Sequence, residues 1–294
     1  MEIVRIDVDR KDFEVVIFGD THYGSVNCHK NLVKEMIRDI KKDDKIALNI
    51  GDNIEAISPD DKRYSSSSID LGAMTSASQR DRWIDDFLPI KKNIKAIGIG
   101  NHEYKLLNDI DIGLDISKAL GCQYGGLMYT AHFYHKGKLL FKFMLAHGAR
   151  TMVQGAKDPV QREANQRAWL KRQLDQTGIS DCIVMAMGHT HQLLVQPPTV
   201  NNELLITSSE NDIHQHTRPS QEQNITYIAP ERRWYINTGS FLKLYSKPGS
   251  LVFGYAEARM LRPAKLGWAE IIVRKGEVVD VQTKEGNEFN KKQK

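Results

Sequence analysis

The sequence predicts a single α/β domain over residues 1–283, built as a two-layer β-sandwich of mixed sheets flanked by helices. Three observations lead there. Short apolar runs of strand length recur along the chain, and between the first of them lie segments with apolar residues at helical spacing. Residues 127–134 and 138–146 read as a hairpin, so not all strands can be parallel. Five strand ends open into small polar turns: Gly19-Asp20-Thr21-His22, Gly51-Asp52-Asn53, Gly100-Asn101-His102-Glu103, Ala146-His147-Gly148 and Gly188-His189-Thr190-His191. Turns that leave strand ends are where α/β sheets build ligand sites.

Residues 2–8 and 13–18 read as strands around a polar turn, Asp9-Arg10-Lys11-Asp12, and the second runs into Gly19-Asp20. Leu32, Val33, Met36, Ile37 and Ile40 then share one helical face, with Asn27 as the expected N-cap. Residues 45–50 form the next strand and end in Gly51-Asp52. A strand–helix–strand order implies a parallel crossover, so both Asp-bearing turns leave the same edge of a sheet. Residues 56–79, with Pro59-Asp60-Asp61-Lys62 and the serines Ser65 to Ser68, form a polar insertion, read as a surface loop with a lid as the alternative.

A helix around 80–88 feeds the strand 94–99, and a second helix covers 112–120. Residues 127–134 and 138–146 read as a hairpin turning at Lys136-Gly137, whose second strand delivers His147. The segment 160–174 is a polar helix with Trp169, Leu170 and Leu174 inward, and 181–187 is a buried strand ending at Gly188-His189. A short strand at 192–196 stops at Pro197-Pro198. The stretch 199–232 is a second polar insertion, expected to complete the second sheet together with strands near 234–238, 250–256, 268–273 and 277–282. The charged tail 284–294 is expected to fray.

Composition narrows the function. The chain is 40% hydrophobic and 27% charged, as soluble globular proteins are, and no apolar run is long enough to span a bilayer. The N-terminus lacks a basic segment followed by an apolar one, so the expected compartment is the cytoplasm. Cys28, Cys122 and Cys182 are too few and too scattered for a disulfide framework and read as reduced, packed thiols. A net charge of +4 permits an anionic substrate without the basic signature of a dedicated nucleic-acid binder.

Asp20, His22, Asp52, Asn101, His147, His189 and His191 supply oxygen and imidazole donors with no thiolate. Such a set suits manganese, iron or zinc better than calcium or magnesium. Seven protein ligands exceed what one ion takes, and suit two ions if one carboxylate bridges. Two cations about 3.5–4 Å apart form the clamp used for in-line displacement at phosphorus. Asp20 with His22, and His189 with His191, stand two residues apart; on extended backbone each pair would face the same side.

The series GDTH, GDN, GNHE, AHG and GHTH resembles, in order and spacing, the motifs of the calcineurin-like metallophosphoesterases, from about residue 13 to 245, with Asn237-Thr238-Gly239-Ser240 similar to that family's closing motif. The resemblance implies the family's four-layer fold and two divalent cations per chain, with manganese first and iron, zinc or nickel as alternatives. It implies that Asp20, His22 and His191 hold one ion, that Asn101, His147 and His189 hold the other, and that Asp52 bridges. It makes His102 the catalytic residue, which meets the scissile phosphate and protonates or orients the leaving oxygen. The implied reaction is phosphoester hydrolysis, a bridging hydroxide attacking phosphorus in line.

The substrate is expected to be a phosphodiester of DNA, RNA or a nucleotide, with a phosphomonoester of a protein or small molecule as the alternative. A metal-binding module without catalysis is the reading from another class. The nuclease branch usually adds a capping domain, and the short stretch after Ser246 argues against a processive repair nuclease. In the second motif Glu55 stands near a position where many members carry Asp; it could fill that place, or Asn53 could help hold Asn101. Glu103 is expected to orient a histidine or to lie at the surface. Tyr23 is a candidate pocket wall, Arg150 a candidate phosphate contact or a solvated arginine, and His214-Gln215-His216 a surface repeat of the H-x-H spacing.

Overall fold

In the computed structural model the described residues are 1–57, 69–70, 72–152, 155–199, 204–217, 221–246, 257, 260 and 262–286. Strands and helices are numbered along the chain. One six-stranded sheet runs in the order β14 (Glu277–Glu285), β13 (Gly267–Arg274), β2 (Phe13–Phe18), β3 (Ile46–Asn49), β4 (Ile94–Gly98) and β5 (Gln123–Gly126). The other six-stranded sheet runs β1 (Glu2–Val8), β6 (Met128–His135), β7 (Lys138–Ala146), β8 (Val184–Met187), β12 (Trp234–Thr238) and β9 (Leu193–Gln196). Both mix parallel and antiparallel pairs. The chain is thus a mixed α/β fold with two large sheets. β1 and β2, adjacent in sequence, belong to different sheets.

Period-two alternation explains the packing. On β2, Val15 and Ile17 enter a core cluster that also takes Phe141, Phe143 and Leu145 from β7 and Ile236 from β12, so residues of both sheets meet there. Val16 and Phe18, on the opposite face, join a second cluster with α1 (Lys30–Lys42), α2 (Ser76–Phe87) and α4 (Ile112–Leu120). On the far face of the other sheet, Met144, Met185 and Tyr235 pack against Trp169, Leu170 and Leu174 of α5 (Pro159–Asp175). All five apolar residues assigned to the inner face of α1 are buried.

Four expectations are corrected. The N-cap of α1 is His29, whose Nδ1 accepts from the Leu32 N–H, and not Asn27. Among its described residues the 199–232 insertion does not complete a large sheet; it forms a separate hairpin, β10 (Leu204–Ser208) and β11 (Ile213–Thr217), and the strands after it are divided, β12 in one large sheet and β13 with β14 in the other. Residues 76–79, assigned to the first insertion, are the opening turn of α2, capped by a reciprocal Thr75–Ser78 box. Residues 284 and 285 are still in β14, while 250–256 lie outside the described residues. β5 went unread because Gln123-Tyr124-Gly125-Gly126 has no apolar alternation.

Two edge strands are closed by glutamine side chains. Gln123 donates to the Arg5 carbonyl and accepts from its N–H, and Gln223 does the same at Val278. Each amide mimics a further strand and blunts an edge that would otherwise invite pairing. Among the described residues no helix is long and apolar enough to cross a membrane.

The topology gathers the turns. β2, β3 and β4 are parallel neighbours, so the turns after Phe18, Asn49 and Gly98 leave one edge. β7 and β8 are parallel too, with Ala146 opposite Met187, so His147 and Gly188 emerge side by side.

At the opposite end of β3, Lys45 is buried with its Nζ 2.9 Å from both Glu270 and Asp39. Lys45→Met should cost about 3 kcal/mol, because it leaves the buried Glu270 carboxylate with only the longer pair to Lys284 at 3.7 Å. Denaturant unfolding reads the loss, and a value below about 1 kcal/mol would reduce the pair to the worth of a surface one.

Candidate metal centre

Backbone rungs fasten the first turn to the second. The N–H groups of Asp20, His22 and Tyr23 donate to the carbonyls of Gly51, Asp52 and Asn53 at 2.9, 3.1 and 3.0 Å. The second turn meets the third so closely that neither tolerates a side chain. Gly51 has φ +97°, and a Cβ there would collide with the Ile99 and Gly100 backbone; one on Gly100 would strike the Asp52 carboxylate. The closing motif braces the first turn, since Ser240 Oγ and the Phe241 N–H both donate to the Asp20 carbonyl. Asn237 holds the fifth, donating to Thr190 Oγ1 at 2.7 Å.

Glu103, wholly buried, ties the second and third turns together. Its carboxylate accepts from the N–H groups of Gly100, Asp52, Asn53 and Ile54. It neither orients a histidine nor lies at the surface, which corrects both expectations. The signal in the sequence is its place three residues after Gly100 at a helix start, the capping-box position. Burial and then the Asp52 charge push its carboxyl up to about 7, against the pull of the N–H donors and His147.

All seven candidate ligands come together, in two groups. In each of the triads Asp20–His22–His191 and Asp52–His147–His189 the donor atoms lie within 4.8 Å of one another. Asn101 joins the second, its Oδ1 2.7 Å from His189 Nδ1 and 3.1 Å from His147 Nε2. Asp52 stands between the groups. Its Oδ1 accepts from the His102 N–H, which leaves Oδ2 3.2 Å from His147 Nε2 and 3.8 Å from His22 Nε2.

The expected extended backbone is not what brings the pairs together. Asp20, His22, Asp52, His189 and His191 all adopt left-handed φ, between 49° and 66°. The chain curls at each of them, and that curl, not strand alternation, converges the side chains. Such backbone costs an L-residue about 1–2 kcal/mol and clusters at functional sites.

The donor set fits cations. Asp20 Oδ1 is buried with no hydrogen-bond partner, although His191 Nε2 is only 3.1 Å away. His22 Nδ1 donates to the Glu55 carboxylate at 3.0 Å, so the neutral ring turns a lone pair on Nε2 toward His191 Nε2, 3.2 Å away. Carboxylates and imidazoles gathered this closely favour positive charge among them, carried by protons or by cations. The titration directions agree. Burial alone would raise Asp52 and Asp20, yet neighbouring imidazoles hold both below the usual carboxylate range. Burial opposes the charging of His22 and His147, yet Asp20, Glu55 and Asp52 drive the first well above its usual value and Asp52 lifts the second to about 9.

His102 sits beside both groups, with Nε2 3.9 Å from Asp52 Oδ2. Its Nδ1 donates to the Glu55 carbonyl, which fixes the tautomer and turns Nε2 into the site. Burial holds it below its usual value. Glu55 therefore serves two histidines, through its carboxylate and its carbonyl. Asn53 does not reach Asn101; its Nδ2 donates to the Gly98 carbonyl. Tyr23 is no pocket wall, being 1% exposed with its hydroxyl on Asp86. Arg150 is exposed, and His214 and His216 lie on β11 and join no such cluster among the described residues.

Comparison with known proteins adds little to this geometry. No protein-family profile and no curated protein matches the chain. Among solved structures it is similar to a metallophosphoesterase from Sphaerobacter thermophilus, at 11% identity and a TM-score of 0.43, over 94% of this chain and 88% of that one. It is also similar to GAP50, the anchor in the inner membrane complex of Plasmodium, at 10% identity and a TM-score of 0.32, over 95% and 90% of the two chains. Such distant likenesses decide nothing about activity, which rests on the residues.

Glu103→Gln would set an amide N–H₂ against backbone N–H donors. At pH 8, where the native carboxylate is ionised, the metal-free variant should lose at least about 2 kcal/mol, the cost of stranding buried donors. An unchanged unfolding midpoint would remove Glu103 from this role.

Proposed function

We propose that the chain is a phosphoester hydrolase that works with two divalent cations, on the helix–sheet–sheet–helix layering of the family its motifs resemble. The observation that carries the reading is Asp52 Oδ2, exposed to two separate histidine-rich ligand groups with His102 beside it. Asp20, His22 and His191 would hold one cation, Asn101, His147 and His189 the other, and Asp52 both. Cations so held supply an activated water and neutralise charge on phosphoryl oxygens. Manganese is the preferred metal for this O/N set, with iron, zinc or nickel as alternatives.

The chain's own residues do the rest. Glu55 keeps a proton on Nδ1 of both His22 and His102, leaving both Nε2 atoms for the site. A phosphate anion arriving at His102 Nε2 favours the imidazolium, the form that hands a proton to a departing oxygen. Asn101 contributes a neutral oxygen and keeps the second group from excess negative charge. The preferred substrate is a phosphodiester of nucleic acid or a nucleotide.

Metal-stripped protein given back manganese should hydrolyse phosphodiesters and single-stranded DNA ahead of phosphomonoesters. Higher turnover on monoesters would reassign the substrate, and no turnover on any of the three would overturn the reaction. Asp52→Asn should abolish hydrolysis and lower the metal content by elemental analysis to one ion or fewer per chain, because a neutral amide cannot balance two cations. Two ions retained with near-normal activity would sink the bridge.

His102→Ala should keep both metals and lose roughly 10²–10⁴-fold in kcat. The loss should shrink for nitrophenyl diesters, whose leaving group departs without a proton, compared with alkyl diesters. An equal loss on both would leave His102 as a phosphate-positioning residue only.

A further inference from the structure

Helix α2 supplies no candidate ligand, yet one of its faces bonds to the turns that carry them. Gln79, Trp83, Asp86 and Phe87 recur at the spacing of a single helical face. Gln79 Oε1 accepts from the Ala56 N–H, just beyond the second turn. Asp86 accepts from the Tyr23 hydroxyl, just beyond the first. Between them Trp83 Nε1 donates to Thr21 Oγ1 at 3.0 Å, and Thr21 Oγ1 donates onward to the Asn53 carbonyl at 2.8 Å. Trp83, Thr21 and Asn53 are all fully buried. The indole is held in turn, stacked on Phe87 at 3.8 Å with Phe87 stacked on Phe18.

Thr21 lies between Asp20 and His22, both left-handed, and its hydroxyl reaches the residue that follows Asp52. We propose that the Trp83–Thr21–Asn53 chain of hydrogen bonds is a positioning device for the metal centre: α2, through Trp83 and the Thr21 hydroxyl, sets the spacing between the turn that presents Asp20 and His22 and the turn that presents Asp52. The inference rests on the metal-centre reading above. The backbone rungs fix how the turns pair, and the Thr21 hydroxyl adds a side-chain bond from the first turn to the second, held in place by α2. A hydroxyl that must accept from a fixed indole and donate to a fixed carbonyl has one orientation. Outer groups that orient metal ligands contribute to affinity without touching the ion.

The test uses the full-length protein. Thr21→Val keeps the shape and removes both hydrogen bonds; Thr21→Ser restores the hydroxyl; Trp83→Phe keeps an aromatic ring on Phe87 and removes the N–H donor, together with part of the buried ring volume. Two quantities are read: manganese affinity of the stripped proteins by competition with a chromophoric chelator, and the unfolding midpoint of the same metal-free proteins. Thr21→Val should weaken manganese binding roughly 10–100-fold, Trp83→Phe less, and Thr21→Ser should return to within about threefold of the parent chain.

A merely structural role would move the metal-free midpoints and leave affinity unchanged, which overturns the proposal. If Thr21→Val does not fold, Trp83→Phe decides in the same way. A parent chain that takes up no manganese overturns the metal centre and this inference with it. One that binds manganese but cleaves no phosphoester overturns only the reaction, because the affinity comparison still stands.

Discussion

The Glu103 carboxylate lies wholly inside the protein and spends both oxygens on backbone N–H groups, two of them from residues 53 and 54 and the others from residues 52 and 100. A buried carboxylate is costly unless it is fully hydrogen-bonded. The converse holds as well: four N–H groups of two consecutive turns meet on this one carboxylate, which fastens the turns to each other. That approach puts Gly51 against the Ile99 carbonyl and brings the His102 N–H onto Asp52. Asp52 then has one oxygen committed and one left facing both ligand groups. The geometry at the centre of the site follows from a residue that touches no candidate ligand side chain.

Strain is distributed in the same way. Five candidate ligand residues hold left-handed backbone, a conformation each would avoid in isolation. Each is surrounded by bonds that leave it no alternative: Asp20 between the Gly51 carbonyl and the donors of Ser240 and Phe241, His22 on the Asp52 carbonyl, His189 with its N–H on Asp20 Oδ2. The last of these joins the turn after β2 to the turn after β8, across the two sheets. Without cations the cost also includes several carboxylates and imidazoles crowded out of water, and the titration directions show protons filling part of that deficit. Bound cations would fill it with fixed charge.

Much of this was legible in the sequence because apolar strands that stop at Gly-Asp or Gly-His mark their own ends. β2, β3 and the α1 face needed only period counting, and the candidate ligands stood at those ends. Period counting fails where side chains carry no pattern. β5 is polar and glycine-rich and is held by its place beside β4 and by Gln123, not by propensity. The β10–β11 hairpin is exposed on nearly every residue, so no buried face announces which sheet it belongs to. His29 caps α1 where Asn27 has the better intrinsic preference, because the chain there is already held by the His29 N–H on the Phe241 carbonyl. The backbone curl at the ligands was illegible for a related reason: nothing in Asp-x-His demands positive φ until the neighbouring turn is in place.

The two ligand groups each draw on both sheets, and this links the site to the core. Asp20 and His22 follow β2 while His191 follows β8; Asp52 and Asn101 follow β3 and β4 while His147 and His189 follow β7 and β8. Each group therefore spans the seam that the core cluster of Val15, Ile17, Phe143 and Ile236 fills from below. The spacing of the sheets is set by those side chains, and a close-packed interior yields little. A cation at either group would act as a cross-link between segments distant in sequence, stabilising the native chain in proportion to how much better it binds there than to the unfolded one. Core volume and metal affinity are then two readings of one distance. Substitutions that thin the layer between the sheets should be felt at the ligands even though no cavity opens there, and a centre that binds tightly is itself evidence that the core sets the separation well.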